Sequence, residues 1–193
     1  MKIGVMGGTY DPIHNAHLVV AEEVRSRFGL VETLFVPAGQ PWLKVDSPIS
    51  PAKHRVNMVR LALANKPYFK ISTTEIERPG PTYTVDTMAE LQAQLGSEND
   101  LFFVLGWDNL AELPRWKEPG RLITLCRLIA VPRPGYPCPD LKALETLIPG
   151  LSQRVMLLDK PEINISASEI RDRVARGLSI HHLVPEPVEE YIK

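Results

Sequence analysis

The sequence predicts a three-layer α/β domain on a mostly parallel sheet, and three observations carry that expectation. Short apolar runs alternate with helix-periodic stretches along the whole length. After its first residue, Asp100-Leu101-Phe102-Phe103-Val104-Leu105 is apolar throughout, as a central parallel strand covered on both faces must be. Most of the 18 prolines fall between these segments rather than inside them. At 193 residues the chain suits one domain with a full core.

The first strand is expected over Lys2–Met6. It runs into Gly7-Gly8-Thr9-Tyr10-Asp11-Pro12-Ile13-His14-Asn15-Ala16-His17. An apolar-periodic helix follows through Leu18, Val19, Ala21, Val24 and Phe28, and Gly29 stops it. Strand, glycine turn and helix start in that order make a phosphate site. Glycines let the backbone approach an anion, and the helix start offers unpaired N–H groups and a positive dipole end. His14 and His17 are three apart, so within one helical turn they share a face and can reach one oxyanion together. Two histidines at a helix start are equally ordinary polar surface. The glycines do not fit G-x-G-x-x-G and no Walker lysine follows, which argues against an NAD dehydrogenase or a P-loop kinase.

A second strand is expected over Glu32–Val36, closed by Pro37. The loop Ala38–Lys44 then presents Lys44, a flexible point charge suited to an anion or simply a solvated side chain. Ser50 and Pro51 should open a helix as N-cap and first residue, carried by Val56, Met58, Val59 and Leu63 to about Ala64. Phe69–Ile71 reads as a short strand, with Glu75–Arg78 an extended continuation. Pro79-Gly80-Pro81 forces a turn, after which Thr82 or Thr84 is suited to cap a helix ending at Leu95 before Gly96. Such a helix start can bind a carboxylate through its N–H groups alone.

The central strand ends in Gly106-Trp107-Asp108. Sites in open α/β sheets lie at strand carboxyl ends, so Gly106 and Asp108 are placed for contact, and Asp108 can accept from hydroxyls. Trp116 offers a flat face to a ring, or packs as an ordinary aromatic. Leu125–Val131 is the next expected strand, ending near Arg133, which can meet phosphate or sit on the rim. Asp140 should cap a short helix through Leu147, and Arg154–Leu158 makes one more strand. Ser166 with Glu169 fits a capping box opening a helix to Arg176 before Gly177. Its hydroxyls, with Arg171 one turn on, make a second anion clamp facing the first. The tail Leu183–Ile192 closes with a short amphipathic helix.

Composition narrows the function. With 22 basic against 23 acidic residues, neither an acidic tail nor a nucleic-acid partner is favoured. Cys126 and Cys138 have no metal-ligand spacing and read as free thiols of a reducing compartment. No signal peptide and no apolar run near eighteen residues is visible, so a cytoplasmic location without membrane contact is expected.

Gly7–His17 resembles the signature of the nucleotidyltransferase family that carries H-x-G-H near its N-terminus, and more narrowly the bacterial nicotinate-nucleotide adenylyltransferases. Ala16 stands where that family usually has glycine. The Arg78–Thr87 run, the Gly106, Asp108 and Trp116 arrangement, and Ile165–Arg171 are similar to further motifs of the family, in the right order over almost the whole chain. Ala167 and Ser168 replace two usual hydroxyl residues of the last motif, and Leu43 stands before Lys44 where related enzymes often have histidine.

The resemblance implies a single Rossmann-like domain over residues 1–193. It implies ATP-dependent adenylyl transfer to nicotinate mononucleotide, giving deamido-NAD and pyrophosphate, with Mg²⁺ as the nucleotide's counterion. His14, His17, Lys44 and Arg171 would then be catalytic. ATP would meet Gly7, Gly8, Thr9, His17, Arg133, Ile165, Ser166, Ser168 and Arg171. The mononucleotide would meet Tyr83, Thr84, Gly106, Asp108 and Trp116, and no residue is assigned as a metal ligand. No nucleophile–base pair is evident, so direct in-line attack by the acceptor's 5′-phosphate is expected. Two other readings stay open. The acceptor could be 4′-phosphopantetheine, although those enzymes typically carry threonine at the first histidine position and lack the Trp-Asp…Trp segment. The chain could also be a non-catalytic nucleotide-binding module, against which His14, His17, Lys44 and Arg171 together argue. Whether the protein is a monomer or a homo-oligomer is open.

Overall fold

The computed structural model describes residues 1–40 and 48–193; Lys44 lies outside the described residues. Among the described residues six strands form one sheet: β1 (Lys2–Gly8), β2 (Glu32–Pro37), β3 (Phe69–Ile71), β4 (Asp100–Gly106), β5 (Arg127–Val131) and β6 (Val155–Leu157). Their spatial order is β3-β2-β1-β4-β5-β6. Every neighbouring pair is parallel, so the sheet is more uniform than the sequence alone required. The chain builds outward from β1 to β2 and β3, then returns to lay β4 on the other side of β1. That reversal opens a crevice at the carboxyl ends of β1 and β4.

Helices cover both faces because alternate residues of each strand point opposite ways. Met6, Phe35, Phe102, Val104 and Ile129 bury one face against Leu18 and Val24 of α1 (Asn15–Phe28), Met58 and Val59 of α2 (Ala52–Leu63), Ile170 of α8 (Ala167–Ala175) and Val188 of α9 (Glu186–Ile192). Val5, Leu34, Leu101, Phe103 and Leu128 bury the other against Val85, Met88 and Leu91 of α4 (Thr84–Leu95), Leu110 of α5 (Trp107–Ala111), Leu122 of α6 (Pro119–Leu125) and Leu144 of α7 (Leu141–Leu147). This is the expected three-layer arrangement.

Several local expectations are corrected. Ser50 and Pro51 do not open α2 as N-cap and first residue; the helix begins at Ala52 with extended Pro51 before it. Ser50 is committed to tertiary bonds instead, its N–H to Asp11 Oδ2 and its carbonyl accepting from Arg55. Glu75–Arg78 is not extended: Thr74–Glu77 forms the one-turn helix α3, closed by Glu77 N–H on the Thr73 carbonyl. Only Arg78, held by the following proline, is extended. Neither threonine caps α4; the N-cap is Tyr83, and Thr82 Oγ1 donates to the Gln40 carbonyl. Leu125 belongs to α6, which Pro119 starts, and β5 begins at Arg127. Two caps fall as read: Gly29 is left-handed after α1, and Asp140 accepts two N–H bonds at the start of α7.

Candidate active site

Gly7 and Gly8 end β1 at the floor of a cleft of about 400 Å³. A Cβ on Gly8 would stand 3.1 Å from the Tyr10 ring, so the absence of a side chain lets that ring fold back over the strand end. Tyr10 adopts φ 53, uncommon for a bulky residue. Its hydroxyl donates to the Met6 carbonyl at 2.6 Å and its ring meets His17 edge-on at 4.9 Å. Burial, with the Glu75 charge adding, pushes the phenol far above its ordinary pKa, so Tyr10 remains a donor.

His14 is the N-cap of α1 and His17 its third residue. The His14 N–H donates to His17 Nδ1 at 3.0 Å, and the two imidazoles stack at 3.7 Å. Burial lowers His14 to about 4, with the Arg133 charge adding. His17 is lowered well below its ordinary value by burial, then by His14 and Arg133. Both rings are therefore neutral near pH 7. Because His17 Nδ1 accepts, its proton sits on Nε2, where it is a donor aimed away from the helix backbone. Ala16, where the resembled family usually has glycine, also lines the cleft.

The opposite wall is α8. Ser166 is its N-cap and accepts from Glu169 N–H at 3.2 Å, half of the expected capping box. Ile165, Ser166, Ala167 and Arg171 line the cleft with Gly7, Gly8, Thr9, His14 and His17. Arg171 spends one N–H on the Asp11 carbonyl at 2.8 Å, which ties this wall to the glycine turn. Arg133, exposed beyond β5, completes the rim. Ser168 is not part of the lining; its hydroxyl lies 3.4 Å from Ser166 Oγ.

The residues expected to meet the mononucleotide split off from this cleft. Gly106 lines it, but Tyr83, Thr84, Asp108 and Trp116 do not. Tyr83 and Trp116 pack against the core on the α4 side of the sheet, and Phe103 lies between Trp116 and the cleft: its ring meets Trp116 edge-on at 6.2 Å and a Cβ on Gly7 at 3.5 Å. A Cβ on Gly106 would lie 2.5 Å from Asp108 Oδ1, so any side chain there displaces that carboxylate. Asp108 Oδ1, Trp107 Nε1 and Trp116 Nε1 are buried without a hydrogen-bond partner among the described residues. A buried polar atom in that state is costly, so each of these three is a candidate contact for a polar ligand.

Sequence reasoning missed the scaffold beneath these groups. Arg55, 1% exposed, donates to three backbone carbonyls. Glu75 accepts from Thr87 Oγ1 at 2.8 Å, and burial raises its carboxyl above the usual range against the lowering influence of Thr87, Thr82, Arg78 and the Gly39 amide. A Cβ on Gly39 would collide with the Glu75 carbonyl, so the end of β2 closes onto α3 only with glycine there. No periodicity signals such contacts. Tyr10 alone had one, its place inside the glycine-turn motif.

The family model for cytidylyltransferase-like proteins matches residues 5–173. A protein of Dehalococcoides mccartyi named probable nicotinate-nucleotide adenylyltransferase is 51% identical over 193 residues, covering 100% of this chain and 95% of that one. One of the same name from Roseiflexus sp. is 46% identical over 191 residues, covering 99% and 94%. Among solved structures, Plasmodium falciparum nicotinic acid mononucleotide adenylyltransferase complexed with NaAD superposes with a TM-score of 0.77 at 22% identity, over 99% of this chain and 94% of that one. The same enzyme complexed with APC gives 0.76. At that identity the structural likeness speaks for the fold.

Proposed function

The chain belongs to the cytidylyltransferase-like family and, within it, to the nicotinate-nucleotide adenylyltransferases, and on that premise we propose how its residues divide the reaction. It transfers AMP from ATP to nicotinate mononucleotide, giving deamido-NAD and pyrophosphate, a step of NAD biosynthesis. In our reading residues 1–193 work as one catalytic unit.

The observation that carries the assignment is the pair of neutral, stacked imidazoles at the start of α1, across the cleft from the start of α8. The triphosphate lies between the two helix starts. His17 Nε2–H and His14 donate to phosphate oxygens around the α-phosphorus, the Gly8 and Thr9 main chain cradles the chain of phosphates, and Arg133 and Arg171 hold the pyrophosphate that leaves. Ser166 and Ile165 border the nucleotide on the α8 side, with Ser168 behind Ser166 and outside the lining. Lys44 completes the set on the family resemblance alone. The 5′-phosphate of the mononucleotide attacks in line, and the protein supplies position and charge stabilisation rather than a covalent intermediate. A phosphate arriving beside His14 and His17 also opposes the burial that keeps them neutral, so each can tighten its hydrogen bond as charge builds.

The nicotinate carboxylate sits at the start of α4, on main-chain N–H groups near Thr84 with Tyr83 beside it, the ring lies against Trp116, and Asp108 accepts from the ribose. The orphaned Asp108 Oδ1 and Trp116 Nε1 fit that placement. The donors facing the main cleft, neutral imidazoles and guanidinium groups, suit phosphate oxygens rather than a cation. Bound to ATP as its counterion, Mg²⁺ would supply charge neutralisation to the phosphates. No helix among the described residues is long and apolar enough to cross a membrane, and the location we infer is the cytoplasm. Pyrophosphate release measured with nicotinate mononucleotide, nicotinamide mononucleotide and 4′-phosphopantetheine tests the reading: only the first should give full turnover.

A further inference from the structure

We infer that Arg55 is a positioning residue for adenylyl transfer: from beneath the cleft it sets the path of the Thr9–Asp11 turn, and through it the mutual placement of His14, His17 and Arg171. Arg55 stands on α2 and does not line the cleft, so it touches no substrate. Its Nη1 donates to the Thr9 carbonyl at 3.0 Å and the Ala38 carbonyl at 2.7 Å, and its Nε donates to the Ser50 carbonyl at 2.9 Å. These carbonyls come from three separate segments: the turn after β1, the end of β2 and the approach to α2.

Burying a guanidinium costs more than burying an aliphatic side chain of the same volume, and buried charges are commonly replaceable by apolar residues without loss of stability. What an apolar side chain cannot do is hold three carbonyls in fixed directions, which a planar fork of five donors does. The same turn is tied from its other side. Asp11 Oδ2 accepts from Ser50 N–H at 2.9 Å, and the Asp11 carbonyl accepts from Arg171 at 2.8 Å. A shift of Thr9 therefore moves Asp11, which is bonded to Arg171 and lies three residues before His14 along the chain. Thr9, Asp11, His14 and Arg171 all face the cleft.

The kinetic part of this inference rests on the adenylyltransferase reading, so the test carries two readouts that do not. R55K keeps the charge but offers a single ammonium in place of the fork, and R55Q removes the charge. Both are compared with wild type well below each variant's own Tm. For R55K, a misplaced turn predicts kcat lower by roughly ten- to a hundredfold with the nicotinate mononucleotide KM changed less than about twofold. The imidazole nitrogen signals of His14 and His17 should also shift in the ligand-free protein, and calorimetry should show weaker ATP binding. If R55K does not fold, the same ring signals and ATP affinity are read in R55Q. A variant with lowered Tm but wild-type kcat, ring signals and ATP affinity overturns the inference and leaves Arg55 a purely structural group. If wild type turns over no mononucleotide, the adenylyltransferase reading fails, and the ring signals and ATP affinity still decide the role of Arg55.

Discussion

His17 has one ring nitrogen engaged by the N–H of His14, which fixes the other as a donor toward the cleft. Loss of a preorganised donor to a charged transition state costs on the order of 3 kcal/mol, so H17A should lower kcat roughly a hundredfold while the fold persists. Near-normal turnover of the purified variant would remove His17 from the catalytic set. The same residues carry a pH signature. The folded pKa of His14, about 4, lies below its ordinary value of 6.5. Between those values the unfolded chain binds more protons than the folded one. This contribution to stability is thus full above the window and lost as pH falls through it. His17 is shifted in the same direction and adds to the effect. In H14N, Tm should fall less steeply than in wild type between pH 6.5 and about 4; parallel profiles would mean that His14 is not held neutral by its surroundings.

At the scale of elements, selectivity follows from the start of α4. A carboxylate offers two acceptor oxygens and a charge, whereas an amide brings an NH₂ that must itself donate. A pocket made of main-chain N–H groups at a positive helix end satisfies the acid and leaves the amide facing other donors. An unmatched buried polar group costs about 1–3 kcal/mol, so kcat/KM should favour nicotinate over nicotinamide mononucleotide by roughly ten- to a hundredfold. T84S should keep that preference, because the main chain and not the side chain makes the contact. Equal kcat/KM values would show the carboxylate subsite to be misassigned. Elements also explain what was readable in advance. α1 and α7 announced themselves through Gly29 and Asp140, and β4 through its unbroken apolar run. α3 is one turn long and shows no period, and only Cys126 separates α6 from β5, so apolar residues on both sides of Arg127 hid the boundary. The glycine turn, the two histidines and Arg171 were legible because they lie in compact local motifs. Arg55 and Glu75 were not, since their partners are distant carbonyls, hydroxyls and amides that only the folded chain brings near.

Across the whole molecule, the site is assembled from opposite ends of the chain. β1 and β4 sit side by side at the centre of the sheet, and the strand order reverses between them. α1 and α8 are some 150 residues apart in sequence yet bracket one cleft. The first residue of α1, Asn15, gives its N–H to the Leu183 carbonyl at 2.9 Å and its side-chain amide to the His182 carbonyl at 2.8 Å. A ribosome makes Asn15 early and Leu183 late. Strand, glycine turn and both histidines have therefore left the exit tunnel long before the residues that anchor their helix exist. Translation and competence are thereby separated: a nascent chain is expected to hold nucleotide weakly until residues 182 and 183 have emerged. Chains arrested with residues 178–193 still inside the tunnel should bind ATP weakly and chains in which those residues have emerged tightly, and equal affinity would show that this segment is not needed to set the site.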